Sequence, residues 1–340
     1  MKIESYSPTI RRREMDAVLT AMVQEHVGPG EQTSRLVQIA REYIGYDYCL
    51  PLRSPVTALT IALQAMDLPD GSSILISALS PQYYVNVIKE LRLQPVCIDV
   101  DESSLSVTVD AVKQKLTPET RALVIHHTLG LVPDVPAIHE LNIPIIEDCS
   151  RSFGANWLDR RAGSFGLFTI LGLEERDLLT AGGGALLYAH GRREGTVLRR
   201  FSELPIEYRL PDLNAALALV QFKEAERNFE KRKEIAVIFT QSALRIRHKR
   251  PVQIGECEYN NYSFPLILET GFKDVEAYAS KKEVEVESAF TDTIAAKNPE
   301  ETRSCPVANS LVLRTIIFPL YPRLGKTQVS KIAKVLATLP

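Results

Sequence analysis

Lysine is missing from the middle of this 340-residue chain, where none occurs between Lys115 and Lys223. Arginines, among them Arg176, are present there instead. A lysine amine condenses with an aldehyde to form a Schiff base, whereas a guanidinium stays protonated in proteins and does not. The absence therefore excludes Schiff-base chemistry from every residue of that stretch.

Paired cysteine motifs are missing as well. The five cysteines are odd in number, widely spaced and without a Cys-x-x-Cys pair: Cys49, Cys97, Cys149, Cys257 and Cys305. This pattern favours free thiols in a reducing cytoplasm over a disulfide framework or a zinc site. The histidines show no metal-ligand spacing, so we expect no metal site.

Strong net charge and long apolar runs are also absent. The formal charge of −2 gives no reason to expect nucleic acid or an anionic membrane as a partner. No apolar run approaches the ~20 residues that span a bilayer, and the first residues lack the apolar core of a signal peptide. With 45% hydrophobic and 24% charged residues, the composition is typical of a soluble protein, which we expect in the cytoplasm.

Short β-rich runs alternate with helical patterns along the chain. The runs predicted as buried strands are Ser73–Leu79, Pro95–Val100, Ala122–His127, Pro144–Asp148, Gly166–Gly172 and Ala185–His190. Near-continuous apolar runs of this kind are typical of a mostly parallel sheet covered on both faces, with right-handed crossovers. One long helical pattern, Leu213–Ala236, leads to a strand at Tyr262–Leu268 and a closing helix at Lys326–Leu339. We predict a large α/β domain over residues 1–235 and a smaller C-terminal α+β domain over residues 236–340.

Several motifs follow one another in a definite order. They are Ile146-Glu147-Asp148-Cys149-Ser150-Arg151, Gly163-Ser164-Phe165-Gly166, Gly182-Gly183-Gly184, Tyr208-Arg209 with Ala215-Ala216-Leu217, and Ile317–Pro322. In order and spacing they resemble the DegT/DnrJ/StrS-type sugar-nucleotide aminotransferases, which are fold-type-I pyridoxal-phosphate (PLP) enzymes. The resemblance extends over nearly the whole chain. It implies a PLP-transferase fold, with a seven-stranded-type, mostly parallel sheet between helices.

The resemblance places Arg176 where the family keeps its catalytic lysine. In the family, a lysine between the Gly-Ser-Phe-Gly stretch and the glycine pair forms the Schiff base with the cofactor. Asp148 matches the aspartate that holds the proton of the pyridine nitrogen. The resemblance thus implies no covalently bound cofactor here, while PLP or its amine form, PMP, stays open as a noncovalent ligand.

The phosphate site implied by the resemblance is altered too. Relatives read Ser-Gly-Thr-Ala-Ala-Leu at a helix amino terminus that binds the phosphate, whereas this chain has Ser54-Pro55-Val56 there. Proline has no N–H to donate and valine has no hydroxyl. Leu171 stands at the family's phosphate-binding serine, and Glu207 at an asparagine that reaches the phosphate across the dimer. A carboxylate there repels a phosphate unless a cation intervenes.

Two kinds of residue are candidates to replace what is lost from the cofactor site. Arg151 replaces a family glutamine and could bind an anionic group together with Arg176, because arginine makes bidentate contacts with phosphate or carboxylate. Tyr83 and Tyr84 are candidates for the aromatic stacking group, whose family position falls near Pro81.

Acid–base and substrate groups are also implied. His127 aligns with a histidine common in the family and could act as an acid or base. An equally simple interpretation is a buried histidine at a strand end. Arg209, next to Tyr208, is the first candidate for holding an anion in the sugar-nucleotide cleft.

Three functions are compatible with these substitutions. The first is a pseudo-enzyme, acting as a binding or partner subunit in nucleotide-sugar biosynthesis for cell surfaces or secondary metabolites, in a homodimer or in a heterodimer with a catalytic homologue. The second is an active but atypical PLP- or PMP-dependent aminotransferase or dehydratase. The third is a nucleotide-sugar sensor. Five altered cofactor functions favour the first, although the sequence leaves enzymatic activity undecided.

Overall fold

The computed structural model describes residues 2–269 and 271–340. Its α-helices are α1 Arg12–Val23, α2 Glu31–Ile44, α3 Pro55–Ala65, α4 Tyr83–Glu90, α5 Val109–Lys115, α6 Val135–His139, α7 Arg192–Arg199, α8 Asp212–Lys223, α9 Ala225–Ser242, α10 Phe272–Lys281, α11 Ile294–Lys297, α12 Pro306–Arg314 and α13 Lys326–Leu336. Its strands are β1 Tyr48–Leu52, β2 Ser73–Ser77, β3 Gln94–Ile98, β4 Thr120–His126, β5 Ile145–Asp148, β6 Asn156–Trp157, β7 Arg160–Arg161, β8 Phe168–Gly172, β9 Ala185–Ala189, β10 Cys257–Glu258, β11 Phe264–Ile267, β12 Glu287–Ser288 and β13 Thr315–Phe318. Within the described residues, none of these helices is long and apolar enough to cross a bilayer.

A seven-stranded sheet lies at the centre of the large domain, in the order β1-β9-β8-β5-β4-β2-β3. Strands β3, β2, β4, β5 and β8 pair in parallel, and β9 is antiparallel to both β8 and β1. The predicted α/β class with a mostly parallel seven-stranded sheet is therefore confirmed. Since β9 is antiparallel to both of its neighbours, β1 and β8 run in the same direction. The strands other than β9 therefore all end at the same edge of the sheet, here called the carboxyl edge. They begin at the opposite edge, here called the amino edge.

The central strands are buried along most of their length because helices cover both faces of the sheet. Every residue of β8 and of β9 is buried. Helix α3 packs against β8 and β9 on one side, with Ala58, Leu59 and Ala62 fully buried. Each large aliphatic side chain buried in this way contributes about 1.5–3 kcal/mol to folding. The side chains at the carboxyl edge therefore project from a sheet that is closely packed against helices.

The predicted helix over Leu213–Ala236 is in fact two helices. Helix α8 ends at Lys223 and α9 begins at Ala225, with Glu224 between them at φ −94° and ψ 1°. The prediction of one continuous helix is wrong. A single residue with non-helical backbone angles leaves the spacing of the apolar residues unchanged, so this spacing does not reveal the break. Helix α8 packs against α1 and α2, whereas α9 packs against α13.

The C-terminal domain contains a small antiparallel sheet in the order β11-β13-β12. Its core also takes in Ile3, which pairs with Val284 next to the sheet. The predicted boundary after residue 235 falls inside α9, where Ile235 and Phe239 already belong to this core. Phe290 packs back into the core of the large domain. The two parts are thus joined through helix α9 and through the segment around Phe290.

Candidate functional site at the carboxyl edge

The carboxylate of Asp148, at the end of β5, is the centre of a buried polar network. Tyr84 Oη donates to Oδ2 at 2.5 Å, while the N–H and hydroxyl of Ser150 donate to Oδ1 at 3.0 and 2.5 Å. His126 Nδ1 lies 3.6 Å from Oδ2. Both oxygens are therefore already engaged by groups of the protein itself.

This network keeps Asp148 ionised. Burial by itself would raise the pKa of the carboxyl, but the contacts from His126, Ser150 and Tyr84 outweigh it and hold the pKa well below its usual range. Burial, reinforced by the Asp148 charge, raises the pKa of the Tyr84 phenol well above its ordinary value. The pair is thus a fixed carboxylate and a neutral hydrogen-bond donor.

The two adjacent tyrosines differ in position. Tyr84 is fully buried, and its hydroxyl is committed to Asp148. The Tyr83 hydroxyl lies 3.5 Å from the same carboxylate, and its ring meets that of Tyr84 edge-on, with centroids 4.9 Å apart. Tyr84 is therefore a hydrogen-bond donor rather than an open stacking wall. A stacking role for Tyr83 stays a prediction.

Arg151 supplies a cation without a close partner. Among the described residues, its guanidinium has neither a hydrogen bond nor an ion pair within 4 Å, and it lies over the Tyr262 ring at 5.5 Å from the centroid. Burial lowers the pKa of Arg151, but Tyr262, Asp177 and Asp148 together raise it above the ordinary value. The carboxyl edge therefore carries one permanently charged donor that can still accept a ligand.

Arg176, which the resemblance places at the family's lysine position, makes an ion pair with the second domain. Its Nη1 lies 2.7 Å from Oε1 of Glu287 in β12, and its guanidinium carbon is 5.1 Å from the centre of the Tyr6 ring. Its carbonyl oxygen accepts a hydrogen bond of 2.6 Å from Tyr262 Oη. The Arg176 guanidinium thus pairs with Glu287, whereas that of Arg151 lies over the Tyr262 ring. A joint role of the two arginines in binding an anion stays a prediction.

Asp177 is a site residue that the sequence interpretation did not identify. Its Oδ2 accepts the Glu174 N–H at 2.9 Å, and the carboxyl lies so close to the Gly172 Cα that a Cβ there would overlap it. Burial raises the pKa of Asp177 to about 7, with Asp148 adding to the rise and Arg151 opposing it. Its one signal in the sequence is the acidic run that surrounds Arg176.

The Gly-Ser-Phe-Gly stretch is held in place by Glu147. This fully buried carboxylate accepts the backbone N–H groups of Gly163, Phe165 and Gly166 at 3.0, 2.6 and 2.7 Å. Three charge-assisted hydrogen bonds compensate for much of the cost of burying the charge. The family-like motif therefore has a structural partner inside this chain.

His127 lies on the Glu147 side of the strand end. Its Nδ1 is 2.5 Å from Ser152 Oγ, its Nε2 is 3.6 Å from Glu147 Oε2, and no part of it is exposed. Burial, with help from His126, lowers its pKa to about 3, so the imidazole is neutral. The histidine beside Asp148 is His126, which is not among the candidates from the sequence. An acid–base role for His127 stays a prediction that this burial does not favour.

His127, Glu147 and Cys149 place potential metal-ligand atoms within 4.8 Å of one another. Glu147, however, is occupied by the three backbone N–H groups, and burial raises the pKa of the Cys149 thiol well above its ordinary value. The Glu147 carboxylate is thus already committed to the backbone of the Gly163–Gly166 stretch.

The start of α3 lies at the carboxyl edge because the helix follows β1 directly. Ser54 Oγ accepts the Thr57 N–H at 3.2 Å and lies 3.1 Å from the Thr57 hydroxyl, and Pro55 fills the first helical position. The helix caps itself, so Val56 retains the one unshared N–H of the first turn. Leu171, at the predicted phosphate-serine position, is completely buried in an apolar cluster.

The segment of Glu207 lies beside this helix start. The Arg53 N–H donates to the Tyr208 carbonyl at 2.9 Å, and both Glu207 and Tyr208 are exposed. Arg209 is half-buried, and its Nε donates to the Leu204 carbonyl at 2.7 Å. It lines an open cleft next to Phe201, so its predicted role in holding an anion stays open.

The sequence profile of the DegT/DnrJ/EryC1/StrS aminotransferase family matches residues 8–337. The chain belongs to this family. GDP-perosamine synthase of Escherichia coli O157:H7 is 23% identical over 351 residues, covering 96% of this chain and 95% of the synthase.

Solved structures of family proteins have the same fold. The aminotransferase TlmJ from Streptoalloteichus hindustanus superposes with a TM-score of 0.90 at 19% identity, covering 98% of this chain and 97% of TlmJ. The E. coli GDP-4-keto-6-deoxy-D-mannose-3-dehydratase, solved with bound hydrated PLP, gives 0.88 at 17% identity, with 99% of each chain covered. At these identities the likeness shows the fold alone.

The DegT/DnrJ cofactor fits these residues only in part. The ionised Asp148 suits a protonated pyridine nitrogen, although Tyr84 and Ser150 already occupy its oxygens. The helix start offers no proline N–H, and the Ser54 hydroxyl is used as a cap. Arg176, paired with Glu287, cannot form a Schiff base, and Ser54 and Thr57 of the helix start are paired with each other.

Proposed function

We propose that this family member is a pseudo-enzyme without covalent PLP, acting as a binding or partner subunit in nucleotide-sugar biosynthesis. The observation that carries the proposal is the ion pair of Arg176 with Glu287 at the lysine position. Through this ion pair, Arg176 connects its loop to the C-terminal domain. The self-capped start of α3 supports the same conclusion, since the Ser54 hydroxyl and the Thr57 N–H are paired within the helix.

A role as a subunit is supported by helix α1. One face of α1 packs against α8, while Met15, Leu19, Met22 and Val23 are each more than half exposed. Their spacing forms one apolar stripe along the helix. A stripe of this kind on a surface is typical of a protein contact. A second copy of this chain, or a catalytic homologue that keeps the lysine, would cover it.

Purification without added cofactor tests the proposal. The protein should be colourless above ~380 nm, without the absorbance typical of bound PLP. Co-expression with a lysine-containing homologue should then test for a mixed dimer. Stoichiometric cofactor recovered with the pure chain would contradict the proposal.

The second candidate is an atypical PLP- or PMP-dependent aminotransferase or dehydratase. Two observations support it: Asp148 stays ionised, and the unpartnered Arg151 guanidinium could receive a phosphate. The related dehydratase was solved with hydrated PLP, which is not a Schiff base. Tight PMP binding that Arg151→Ala abolishes would favour this candidate over the first.

A further inference from the structure

A second cleft opens at the amino edge of the sheet, on the side opposite Asp148. Its walls come from the end of α3, the beginnings of β4 and β8, and helix α7. The cleft has a volume of ≈ 1350 Å³ up to its open mouth. Because β4, β5 and β8 are parallel, a whole strand length separates it from the carboxyl-edge site.

Three arginines line this cleft: Arg121 on β4, and Arg193 and Arg200 at the two ends of α7. Within the described part of the chain, none of them has a carboxylate within 4 Å. Arg121 donates only to the carbonyls of Pro118 and Thr120, at 2.6 and 3.1 Å. Guanidinium groups without ion pairs are suited to bidentate contacts with phosphate oxygens.

Two carboxylates also line the cleft, Asp67 and Glu194, so three positive and two negative side chains leave one net positive charge. The Glu194 carboxylate folds back toward Gly191 at the start of its own helix, where a Cβ would overlap it. There it faces the positive end of the α7 dipole. The Glu194 carboxylate therefore does not neutralise the arginines, and their positive charge stays available to a ligand.

Between the charged groups the wall is apolar. Met66, Leu68, Val197 and Phe201 line it as partly buried side chains, and Phe168 lies beneath them. An inorganic anion bound to the arginines would make no contact with this apolar surface. A planar base or a ribose would cover it, because aromatic and aliphatic side chains stack readily on such rings.

We propose that this cleft binds a nucleoside diphosphate. The diphosphate lies against Arg121, Arg193 and Arg200, and the nucleoside lies on the wall formed by Phe201 and Met66. The inference is independent of the function proposed for the carboxyl-edge site, since it uses no residue of that site. No bond is made or broken, and the cleft acts as a binding site only.

Calorimetric titration of the full chain with UDP and with GDP at low ionic strength tests this inference. We expect one molecule per chain, with affinity falling as salt is added. Free uridine should bind at least about tenfold more weakly, because it lacks the charged contacts. Inorganic pyrophosphate should also bind more weakly. Equal affinity for pyrophosphate and UDP would overturn the nucleoside assignment.

Variants locate the site. Arg193→Ala and Arg200→Ala should each weaken UDP binding about tenfold, as expected for the loss of a charged hydrogen-bond donor. Arg192→Ala is the matched control: it is exposed on the same helix but outside the cleft, and it should leave binding unchanged. If Arg151→Ala removes UDP binding while the α7 variants keep it, the ligand lies at the carboxyl edge and the inference is wrong. Absence of any UDP binding would also overturn it.

Discussion

The guanidinium of Arg176 and the carboxylate of Glu287 lie 2.7 Å apart, joining the loop after β8 to strand β12 of the C-terminal domain. The same loop receives the Tyr262 hydroxyl on the Arg176 carbonyl and the Tyr6 hydroxyl on the Glu175 carbonyl. Arg176, which the resemblance places at the family's lysine position, is thus part of a contact between the N-terminal segment, the loop and the second domain.

The first prediction concerns the strength of this ion pair. The Arg176 side chain is 51% exposed and that of Glu287 is 24% exposed. A double-mutant cycle with Arg176→Ala and Glu287→Ala should give a coupling of about 0.2–1 kcal/mol, as for other partly solvated pairs. Urea denaturation measures it. The exposed pair Arg303 and Glu300, 3.9 Å apart, is the control and should show almost no coupling. A zero value for the Arg176 pair would remove its proposed structural role.

The second prediction concerns Asp177 and pH. Burial raises its folded-state pKa to about 7, whereas an unfolded aspartate titrates near pH ~4. The folded state therefore holds a proton that the unfolded chain releases, so the stabilisation is full below pH ~4 and is lost as the pH rises through about 7.

Asp177→Asn removes this dependence while keeping an oxygen for the Glu174 N–H. Relative to the variant, the wild-type protein should lose on the order of 1–3 kcal/mol of unfolding free energy between about pH 5 and pH 8. Chemical denaturation at several pH values measures the difference. A difference that does not change with pH would show that Asp177 titrates normally.

The third prediction concerns Leu171. Because this side chain is completely buried in an apolar cluster, Leu171→Ser leaves a cavity and a hydroxyl without a partner. The change should cost about 2–5 kcal/mol of unfolding free energy and should not create affinity for PLP. Leu171→Val is the control, with a smaller cost. A stable Leu171→Ser variant that binds PLP would show that the phosphate site survives.

The fourth prediction concerns the apolar stripe on α1. Leu19→Glu should dissociate the assembly that we propose the stripe mediates, because a charge would be buried at the contact. Leu313 is equally apolar and even more exposed, at 77% against 57%, so Leu313→Glu is the matched control. Light scattering after gel filtration measures the mass. A mass unchanged by Leu19→Glu would exclude α1 from the interface.

Much of the fold was predictable from the sequence, since continuous apolar strands and ordered motifs indicate a parallel sheet between helices. The break at Glu224 was not, because one residue leaves the apolar period intact. Side-chain contacts between residues far apart in the sequence were also not predictable. Nothing in the sequence connects Arg176 with Glu287, or Tyr84 with Asp148. The motif pointed to His127 for acid–base chemistry, although His126 is the histidine beside Asp148.

One measurement tests the loss of Schiff-base chemistry most directly. Arg176→Lys and wild-type protein are each mixed with one equivalent of PLP, scanned near ~410–430 nm for an aldimine band, and reduced with borohydride before peptide mass spectrometry. We predict no band and no adduct at one defined lysine in either protein, because Pro55, Leu171 and Glu207 stand where the resemblance places the family's phosphate-binding groups. A stoichiometric adduct at residue 176 of the variant, or at one lysine of the wild-type chain, would contradict it.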